Sequence, residues 1–220
     1  MHSLVHRAHS GAPTGSHAFG SPRAYELVAD IAFLGRRRAA FQALIRAAGV
    51  RRSHRVLDVG CGTGYFARLI AQTVGRDGFV LGVDPSPEMI AYASRRAVVF
   101  ESVCRFEVGT VEALPLSDED FDVVVSSLVM HHLPEHVRAV GLLVVRRVLR
   151  PGGTLLLGEA HNPSAGLGWR LLAKLHGFDR MARQVPSLEA LVSDGGFTDL
   201  RAGTVPPWLR YVVAAKPARS

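Results

Sequence analysis

The stretch VLDVGCGTGYF, residues 56–66, places three glycines within five positions directly after a β-branched, apolar run. Glycine has no Cβ, so it accepts positive φ angles and lets another group approach the backbone closely. In α/β proteins a glycine-rich turn between the first strand and the first helix binds nucleotides at the carboxyl edge of the sheet. The stretch therefore predicts a nucleotide-like ligand beside a strand that leads directly into a helix.

The chain around this stretch alternates between apolar runs and helical patterns. Five runs are continuously hydrophobic, as in parallel strands buried on both faces: RVLDVG (55–60), FVLGVD (79–84), CRFEVG (104–109), FDVVVSSLV (121–129) and TLLLGEA (154–160). Helical segments follow them, and strands that alternate with helices build a parallel sheet covered on both sides. The pattern predicts a doubly wound α/β fold.

The C-terminal part departs from this alternation. The segments TDLRAGTV (198–205) and LRYVVAAKP (209–217) both have strand patterns, and only PPW separates them. A parallel return would need a crossover of a dozen or more residues, so the two strands are predicted to pair antiparallel. The sheet is therefore expected to end in an antiparallel edge.

The chain length of 220 residues, 48% of them hydrophobic, fits one globular domain. We assign this domain to residues 22–217, with lid segments at 22–48 and 161–185. The first lid segment has helical spacing, with a kink expected at Gly35. Residues 1–21 are rich in Ser, Gly, Pro and His and are predicted to be a disordered tail.

The sequence also bears on compartment and metal content. No apolar run approaches the roughly 20 residues of a membrane span, and the N-terminus lacks the apolar core of a secretory signal. We therefore expect a soluble protein located in the cytoplasm. Cys61 and Cys104 form no CxxC pair and are interpreted as reduced thiols. The histidines of the tail are irregularly spaced, so no metal is predicted.

The net charge of +7 raises the question of nucleic-acid binding. The arginines, however, are distributed over many elements, and aromatic residues are not interleaved with them. We interpret them as solvent-exposed, including the run Arg36–Arg38. The charge pattern therefore argues against a nucleic-acid partner.

The spacing of the glycines separates several classes of nucleotide site. A dinucleotide fingerprint would need its third glycine at position 65, which is Tyr65, and a P-loop would need Lys at the same position. What remains is G-x-G-x-G at Gly60, Gly62 and Gly64, preceded by Asp58. An acidic residue would repel a pyrophosphate and suits a cationic ligand.

These features resemble the class I S-adenosylmethionine-dependent methyltransferases, particularly the branch of the ubiquinone and menaquinone biosynthesis methyltransferases. The resemblance covers about residues 22–217 and depends on four ordered motifs: VLDVGCGTG, GVDPSPEMI, GTVEALPLSDEDFDVVVSSLVMHHL and LRPGG. It implies a Rossmann-like sheet of seven strands whose last strand is antiparallel. It also implies an enzyme that transfers a methyl group from S-adenosylmethionine to a small-molecule acceptor.

The resemblance assigns two carboxylates to the cofactor. Asp84 ends the second strand and would accept both ribose hydroxyls, since Ser86 is available to cap the next helix. Asp58 would reach the amino group of the methionine moiety through water or the loop amides. The predicted cofactor-binding residues are Asp58, Gly60, Cys61, Gly62, Gly64, Asp84, Pro85, Met89, Thr110, Val111 and Ser126.

The remaining cofactor residues have alternative interpretations. Met89 either packs against the adenine face or belongs to the core. Thr110 stands where the family commonly has an acidic residue that accepts from the adenine amine, and Val111 would bind the adenine edge through its backbone. Ser126 and Ser127 either lie beside the methionine moiety or are ordinary strand-end residues.

On the acceptor side, the predicted substrate-binding residues are Tyr25, His131 and His132. Methyl transfer from a sulfonium needs orientation, desolvation and, for a phenol or carbon acid, a base. One of the two histidines serves as that base or orients the acceptor, or both only shape the pocket, so the catalytic residue stays unassigned. Tyr25, Trp169 and Trp208 either wall an apolar acceptor site or belong to the core.

Two other functional classes remain as alternatives. A nucleic-acid methyltransferase acting on an exocyclic amine usually has Asn or Asp and then Pro-Pro-Tyr after the fourth strand, where this chain has SSLVMHH. A non-catalytic cofactor-binding protein would not be expected to keep Asp58, Asp84 and the loop glycines. The favoured acceptor is a small molecule, and apolar lid residues such as Leu167 and Leu171 suggest a quinone, phenol or lipid-like compound.

Overall fold

The structure is a computed structural model that describes residues 21–100, 102–113, 116–161 and 187–219. Its helices and strands are, in chain order, α1 (Pro22–Ala32), α2 (Arg37–Ala47), β1 (Arg55–Val59), α3 (Tyr65–Val74), β2 (Phe79–Asp84), α4 (Pro87–Arg96), β3 (Cys104–Val108), β4 (Phe121–Ser127), α5 (Glu135–Val148), β5 (Leu149–Ala160), α6 (Leu188–Asp194), β6 (Thr198–Val205) and β7 (Leu209–Ala215). Short 3-10 helices are found at Val98–Phe100, Val111–Ala113 and Met130–His132.

The seven strands form one sheet in the order β3-β2-β1-β4-β5-β7-β6. The pairs among β1 to β5 are parallel, whereas β7 runs antiparallel to both β5 and β6. The predicted α/β class and the antiparallel pairing of the last two strands are confirmed. The last strand is inserted beside β5, so β6 forms the edge of the sheet.

Both faces of the sheet are buried. Val56 and Leu57 are neighbours on β1, each at most 1% exposed, yet they belong to two different clusters. Val56 lies in the cluster with Leu44 of α2, and Leu57 in the cluster with Leu142 of α5 and Val192 of α6. Successive side chains of a strand point to opposite faces, which is why the strand sequences are continuously hydrophobic.

The predicted helix over 22–48 is divided into two helices. Leu34 and Gly35 adopt left-handed φ angles of 52° and 72°, and the Gly35 N–H donates to the carbonyl of Asp30 at 3.1 Å. Such left-handed geometry ends a helix. The break at Gly35 is therefore more complete than the expected kink, and it separates α1 from α2.

The fourth strand ends earlier than its sequence indicates. The apolar run 121–129 predicts a strand through Val129, but β4 stops at Ser127 because Leu128 has a φ of 63°. The backbone turns there into the short helix Met130–His132. This turn brings the two predicted histidines to the carboxyl edge of the sheet.

Some sequence predictions fall on residues that are not described. The tail lies outside the described residues except for Ser21, and the second lid segment lies outside them except for His161. Leu167, Trp169 and Leu171 belong to that segment. Within the described ranges, no helix is long and apolar enough to cross a membrane. The same ranges contain no group of three or more His, Cys, Asp or Glu side chains suited to hold a metal ion.

Candidate cofactor-binding site

The glycine loop, residues 60–64, joins β1 to α3 at the carboxyl edge of the sheet. The N–H groups of Gly60 and Cys61 donate to the carbonyl of Val83 at 2.8 and 3.0 Å. These bonds attach the loop to the end of β2. The ends of β1 and β2, which are paired through Val59 and Val83, thus form one rigid platform.

Gly60 is required by packing inside the protein. Its φ is 71°, and a Cβ at this position would overlap the side chain of Val129, which follows β4. Gly64 is enclosed in a similar way, since its Cβ would lie 2.7 Å from Phe106 and 2.8 Å from Ala93. These two glycines therefore let β1 and α3 pack closely against neighbouring elements.

Gly62 differs from the other two loop glycines. Its φ is 51°, and no atom of the described part of the chain lies within 4 Å of the position that a Cβ would occupy. A side chain here would strain the backbone and project into open space. Among the three loop glycines, Gly62 is the one at which an external ligand has room to approach.

Cys61 lies inside the loop and is buried. Burial raises the pKa of its thiol well above the usual value, and the nearby carboxylates of Asp58 and Asp84 raise it further. Burial likewise raises the pKa of Cys104 to about 12, with a contribution from Asp58. Both thiols therefore stay protonated at neutral pH and are poor nucleophiles.

Asp84 connects the end of β2 to the glycine loop. Its Oδ2 accepts from the N–H of Gly62 and its Oδ1 from the N–H of Ser86, each at 2.9 Å. Burial raises the pKa of the carboxyl, and these two bonds oppose that shift. Ser86 caps α4 with its own hydroxyl, as expected, so Asp84 keeps lone pairs for further donors.

Asp58 lies at the end of β1 and is 2% exposed. The N–H of Ala67 donates to its carboxyl, but Oδ2 has no hydrogen-bond partner among the described residues. Burial, together with the charge of Asp84, raises the pKa of Asp58 to about 7. A buried carboxylate oxygen without a donor is costly, and a cationic ligand would supply the missing charge and bond.

The predicted adenine side lies next to Asp84. The N–H of Gly109 donates to the Asp84 carbonyl at 3.1 Å, which places Thr110 directly after the paired ends of β2 and β3. Thr110 is partly exposed and its carbonyl accepts from Ala113 at 3.1 Å, while Glu112 is exposed. The backbone of Val111 begins the 3-10 helix at this point.

Met89 and Pro85 lie on the other side of Asp84. Met89 is 5% exposed, and its N–H donates to the hydroxyl of Ser86 at 3.3 Å. Pro85 is exposed between Asp84 and Ser86. The positions of both residues beside the carboxylate fit the predicted cofactor set, and their contacts with a cofactor remain a prediction.

Ser126 and Ser127 point to opposite faces of β4. The hydroxyl of Ser126 is buried and donates to the Val59 carbonyl at 3.0 Å. The Oγ of Ser127 is buried without a hydrogen-bond partner in the described chain, next to Gly158 and Leu44. Ser126 therefore already has a role in joining β4 to β1, and its predicted contact with the cofactor remains untested.

The predicted acceptor residues have different environments. The ring of His131 is buried, with Nδ1 lying 2.8 Å from Oε2 of Glu159, whereas His132 is exposed. Burial lowers the pKa of His132, as does the neighbouring His131. Trp208 is 2% exposed and donates from Nε1 to the Ala32 carbonyl at 2.8 Å, so of its two interpretations the structure supports the core.

Tyr25 extends from α1 towards the cofactor platform. Burial raises the pKa of its hydroxyl, Arg37 opposes this shift, and Asp84 adds to it. The phenol therefore lies within electrostatic reach of both charged groups. This position beside Asp84 keeps Tyr25 a candidate for the acceptor site.

The prediction that the run Arg36–Arg38 is solvent-exposed is wrong for Arg37, whose side chain is 7% exposed. Its guanidinium carbon lies 3.8 Å from the ring centroid of Tyr65, and its Nη1 donates to Asp30 at 3.2 Å. Arg37 Nε is buried with no hydrogen-bond partner among the residues described. The sequence does not distinguish Arg37 from its neighbours, since only the packing of α2 against α3 buries it.

The fold and the comparisons support the resemblance to the class I S-adenosylmethionine-dependent methyltransferases. Residues 56–153 match the family model described as a methyltransferase domain.

The chain is also similar to individual curated proteins. The chain is 34% identical over 158 residues to an uncharacterized 37.1 kDa protein in transposon TN4556 of Streptomyces fradiae, covering 71% of this chain and 45% of that protein. It is 33% identical over 116 residues to demethylmenaquinone methyltransferase of Staphylococcus aureus, covering 53% of this chain and 47% of that enzyme. The chain thus spans about half the length of these curated relatives.

A solved structure shows the same fold. The crystal structure of a SAM dependent methyltransferase from Aquifex aeolicus superimposes with a TM-score of 0.66 at 21% identity, covering 80% of this chain and 88% of that one.

Proposed function

We propose that this protein transfers a methyl group from S-adenosylmethionine to a small-molecule acceptor. The observation that carries the proposal is the open approach at Gly62, whose N–H donates to the carboxylate of Asp84, together with the unsatisfied carboxylate oxygen of Asp58 at the end of β1. The methyltransferase-domain match over residues 56–153 supports it.

The two carboxylates have distinct roles in this proposal. Asp84 accepts the ribose hydroxyls, because each of its oxygens receives one backbone N–H and has lone-pair capacity left. Asp58 receives the ammonium group of the methionine moiety on its unsatisfied Oδ2. A sulfonium cofactor with an ammonium group suits this acidic edge, whereas a pyrophosphate does not.

Arg37 is the candidate for the carboxylate of the methionine moiety. Its guanidinium is held against Tyr65, which directly follows the glycine loop, and its buried Nε lacks a hydrogen-bond partner in the described ranges. A carboxylate ligand would satisfy this donor through a charge-assisted hydrogen bond. The amino-acid part of the cofactor would then lie between an acidic and a basic side chain.

When bound, S-adenosylmethionine supplies a methyl group already activated by positive sulfur. The protein then has to align the acceptor and exclude water. Tyr25 lies within electrostatic reach of Asp84, and the turn with His131 and His132 follows Val129, which packs on Gly60. These residues orient the acceptor, and for a hydroxyl acceptor one of the histidines takes up the proton.

The acceptor we propose is a quinone, phenol or lipid-like compound. The likeness to a demethylmenaquinone methyltransferase supports this class. The apolar residues expected to select such an acceptor, Leu167, Trp169, Leu171 and Leu172, lie outside the described residues. The substrate therefore has to be identified by experiment.

Calorimetric titration of the full chain with S-adenosylmethionine, with NAD as the control ligand, tests the cofactor. We expect binding of the first compound and none of the second. Incubation with labelled methyl donor and a panel of quinols, phenols, lipids and tRNA then tests the acceptor. Absence of S-adenosylmethionine binding would overturn the proposal, and labelling of tRNA alone would replace the small-molecule acceptor with RNA.

A further inference from the structure

The buried pair formed by Glu159 and His131 has no counterpart in the sequence predictions. Glu159 lies near the end of β5, and the side chains of Glu159 and His131 are 2% and 1% exposed. Oε1 of Glu159 accepts from the backbone N–H of Met130 at 2.6 Å, and Oε2 lies 2.8 Å from Nδ1 of His131. One carboxylate thus holds both the backbone and the imidazole of the same turn.

This pair lies close to the proposed cofactor site. The turn that carries His131 follows β4, and Val129 in that turn packs on Gly60 of the glycine loop. His131 therefore comes two positions after Val129, the residue whose side chain packs on the glycine loop. Its other ring nitrogen, Nε2, is buried without a hydrogen-bond partner among the described residues.

The contact with Glu159 indicates which tautomer of the imidazole is present. An ionised carboxylate only accepts hydrogen bonds, so the nitrogen that faces Glu159 has to carry a proton. In the neutral ring the lone pair is then on Nε2. A buried polar atom without a partner is costly, and such an atom is expected where a ligand supplies the missing hydrogen bond.

Other charged groups surround the pair. Arg210 on β7 is in register with Glu159, and Arg138 on α5 donates to the carbonyl of Met130 at 2.8 Å. The ring centroid of His132 lies 3.9 Å from that of His131.

We propose that Glu159 is a positioning residue that keeps the proton of His131 on Nδ1, so that Nε2 receives the proton of a hydroxyl acceptor during methyl transfer. The proposal rests on the proposed function. The acceptor oxygen forms a bond to the methyl carbon while the carbon–sulfur bond breaks. The electron pair of the carbon–sulfur bond stays on sulfur. The acceptor proton moves to Nε2 and then to solvent, so that S-adenosylmethionine and an alcohol or phenol give S-adenosylhomocysteine, a methyl ether and a proton.

The tautomer of His131 can be measured without an acceptor. Long-range proton–nitrogen NMR spectra of the full chain separate protonated from unprotonated ring nitrogens, and comparison with His131→Asn identifies the signals among the 10 histidines. We expect a proton on Nδ1 and a lone pair on Nε2 near pH 8. A proton on Nε2 in place of Nδ1 would overturn the proposal, whether or not the protein binds S-adenosylmethionine.

Kinetics then separate positioning from a structural role. With a hydroxyl acceptor from the panel, Glu159→Gln is expected to lower kcat at least about tenfold and to shift its pH profile, and His131→Asn to lower kcat roughly 100-fold. Both variants should keep their affinity for S-adenosylmethionine within about threefold. The matched controls are Glu135→Gln and His136→Asn, whose side chains are exposed on α5.

Two results would contradict the role in proton transfer. One is full turnover by a folded His131→Asn variant. The other is a Glu159→Gln variant that loses thermal stability and cofactor affinity with an unchanged kcat, because that result would reduce Glu159 to a support of the turn above Gly60. Should Glu159→Gln fail to fold, His131→Asn and the tautomer of the wild-type protein still decide the question.

Discussion

The carboxylate of Asp84 accepts a hydrogen bond from the backbone N–H of Gly62 at 2.9 Å and so joins the end of β2 to the middle of the glycine loop. The two residues are far apart in sequence, and only the pairing of β1 with β2 brings them together. The acidic residue expected to bind the ribose therefore also fixes the loop on which the cofactor is expected to lie.

Asp84→Ala should weaken S-adenosylmethionine binding by about 2–3 kcal/mol, roughly 30- to 150-fold, because two charge-assisted hydrogen bonds to the ribose are lost. Isothermal titration calorimetry measures the change. Glu88→Ala, an exposed acidic residue in the first turn of α4, is the control and should bind normally. Unchanged affinity in a folded Asp84→Ala variant would remove Asp84 from the cofactor site.

The glycines of the loop should respond differently to a methyl group. Gly62→Ala should lower the free energy of unfolding by about 1 kcal/mol through its positive φ. It should also lower the affinity for S-adenosylmethionine at least about tenfold, because the methyl group projects into the open approach. Gly60→Ala should lower the free energy of unfolding by about 1–3 kcal/mol through overlap with Val129. Denaturant unfolding and calorimetry measure both effects.

A double variant provides the control for this comparison. Adding Val129→Ala to Gly60→Ala removes the overlapping side chain and should recover part of the lost stability. Adding Val129→Ala to Gly62→Ala should recover no stability, because the Cβ position of residue 62 has no neighbour within 4 Å in the described chain. Equal affinity of the wild type and Gly62→Ala for S-adenosylmethionine would show that the cofactor does not lie against this glycine.

Asp58 should make the stability of the ligand-free protein depend on pH. Burial raises its pKa to about 7 from a usual value of 3.8, so the folded state holds this proton more tightly than the unfolded state. The neutral form is therefore present in the fold below about pH 7, and its stabilisation is lost as the pH rises through that value. Asp58→Asn should raise stability by about 2 kcal/mol more at pH 8 than at pH 5.

The same proton should oppose cofactor binding. The ammonium group needs the ionised carboxylate, so the affinity of the wild type should fall by up to roughly tenfold for each pH unit below the pKa of about 7. Asp58→Asn should bind weakly and without this dependence. Titrations between pH 5 and 8 test both, and a flat profile for the wild type would exclude Asp58 as the ammonium contact.

Arg37→Met should lower the affinity for S-adenosylmethionine by roughly tenfold or more, because it removes the buried guanidinium donor. Methionine keeps much of the packing against Tyr65. Arg38→Met is the matched control, since Arg38 is exposed and bonds to Gln72 at 3.2 Å. Calorimetry should show a loss for the first variant only. Equal affinities would mean that Arg37 serves the packing of α2 alone.

Thr110→Asp should raise the affinity for S-adenosylmethionine by roughly threefold to tenfold, because a carboxylate is a stronger hydrogen-bond acceptor for the adenine amine than a hydroxyl is. Glu112 is exposed, so Glu112→Gln should be nearly silent. If Glu112→Gln weakens binding instead, Glu112 supplies the carboxylate. No change in either variant would mean that the adenine edge lies elsewhere.

The sequence by itself determined the fold class and predicted the edge of the sheet at which the cofactor is proposed to bind. Continuous apolar runs predict buried parallel strands, and the three-residue separation of the last two strands forces an antiparallel pair. The glycine loop, Asp58 and Asp84 follow from local signals, because residues at the carboxyl ends of parallel strands share one edge whatever the rest of the chain does.

Only the tertiary structure decided which further residues belong to the proposed site. Arg37 is indistinguishable from Arg38 in sequence, and its burial depends on the break at Gly35 and on the packing of α2 against Tyr65. Glu159 and His131 lie 28 residues apart and meet because β4 and β5 are parallel neighbours. Such contacts depend on the packing of distant segments, and no local pattern of residues encodes them.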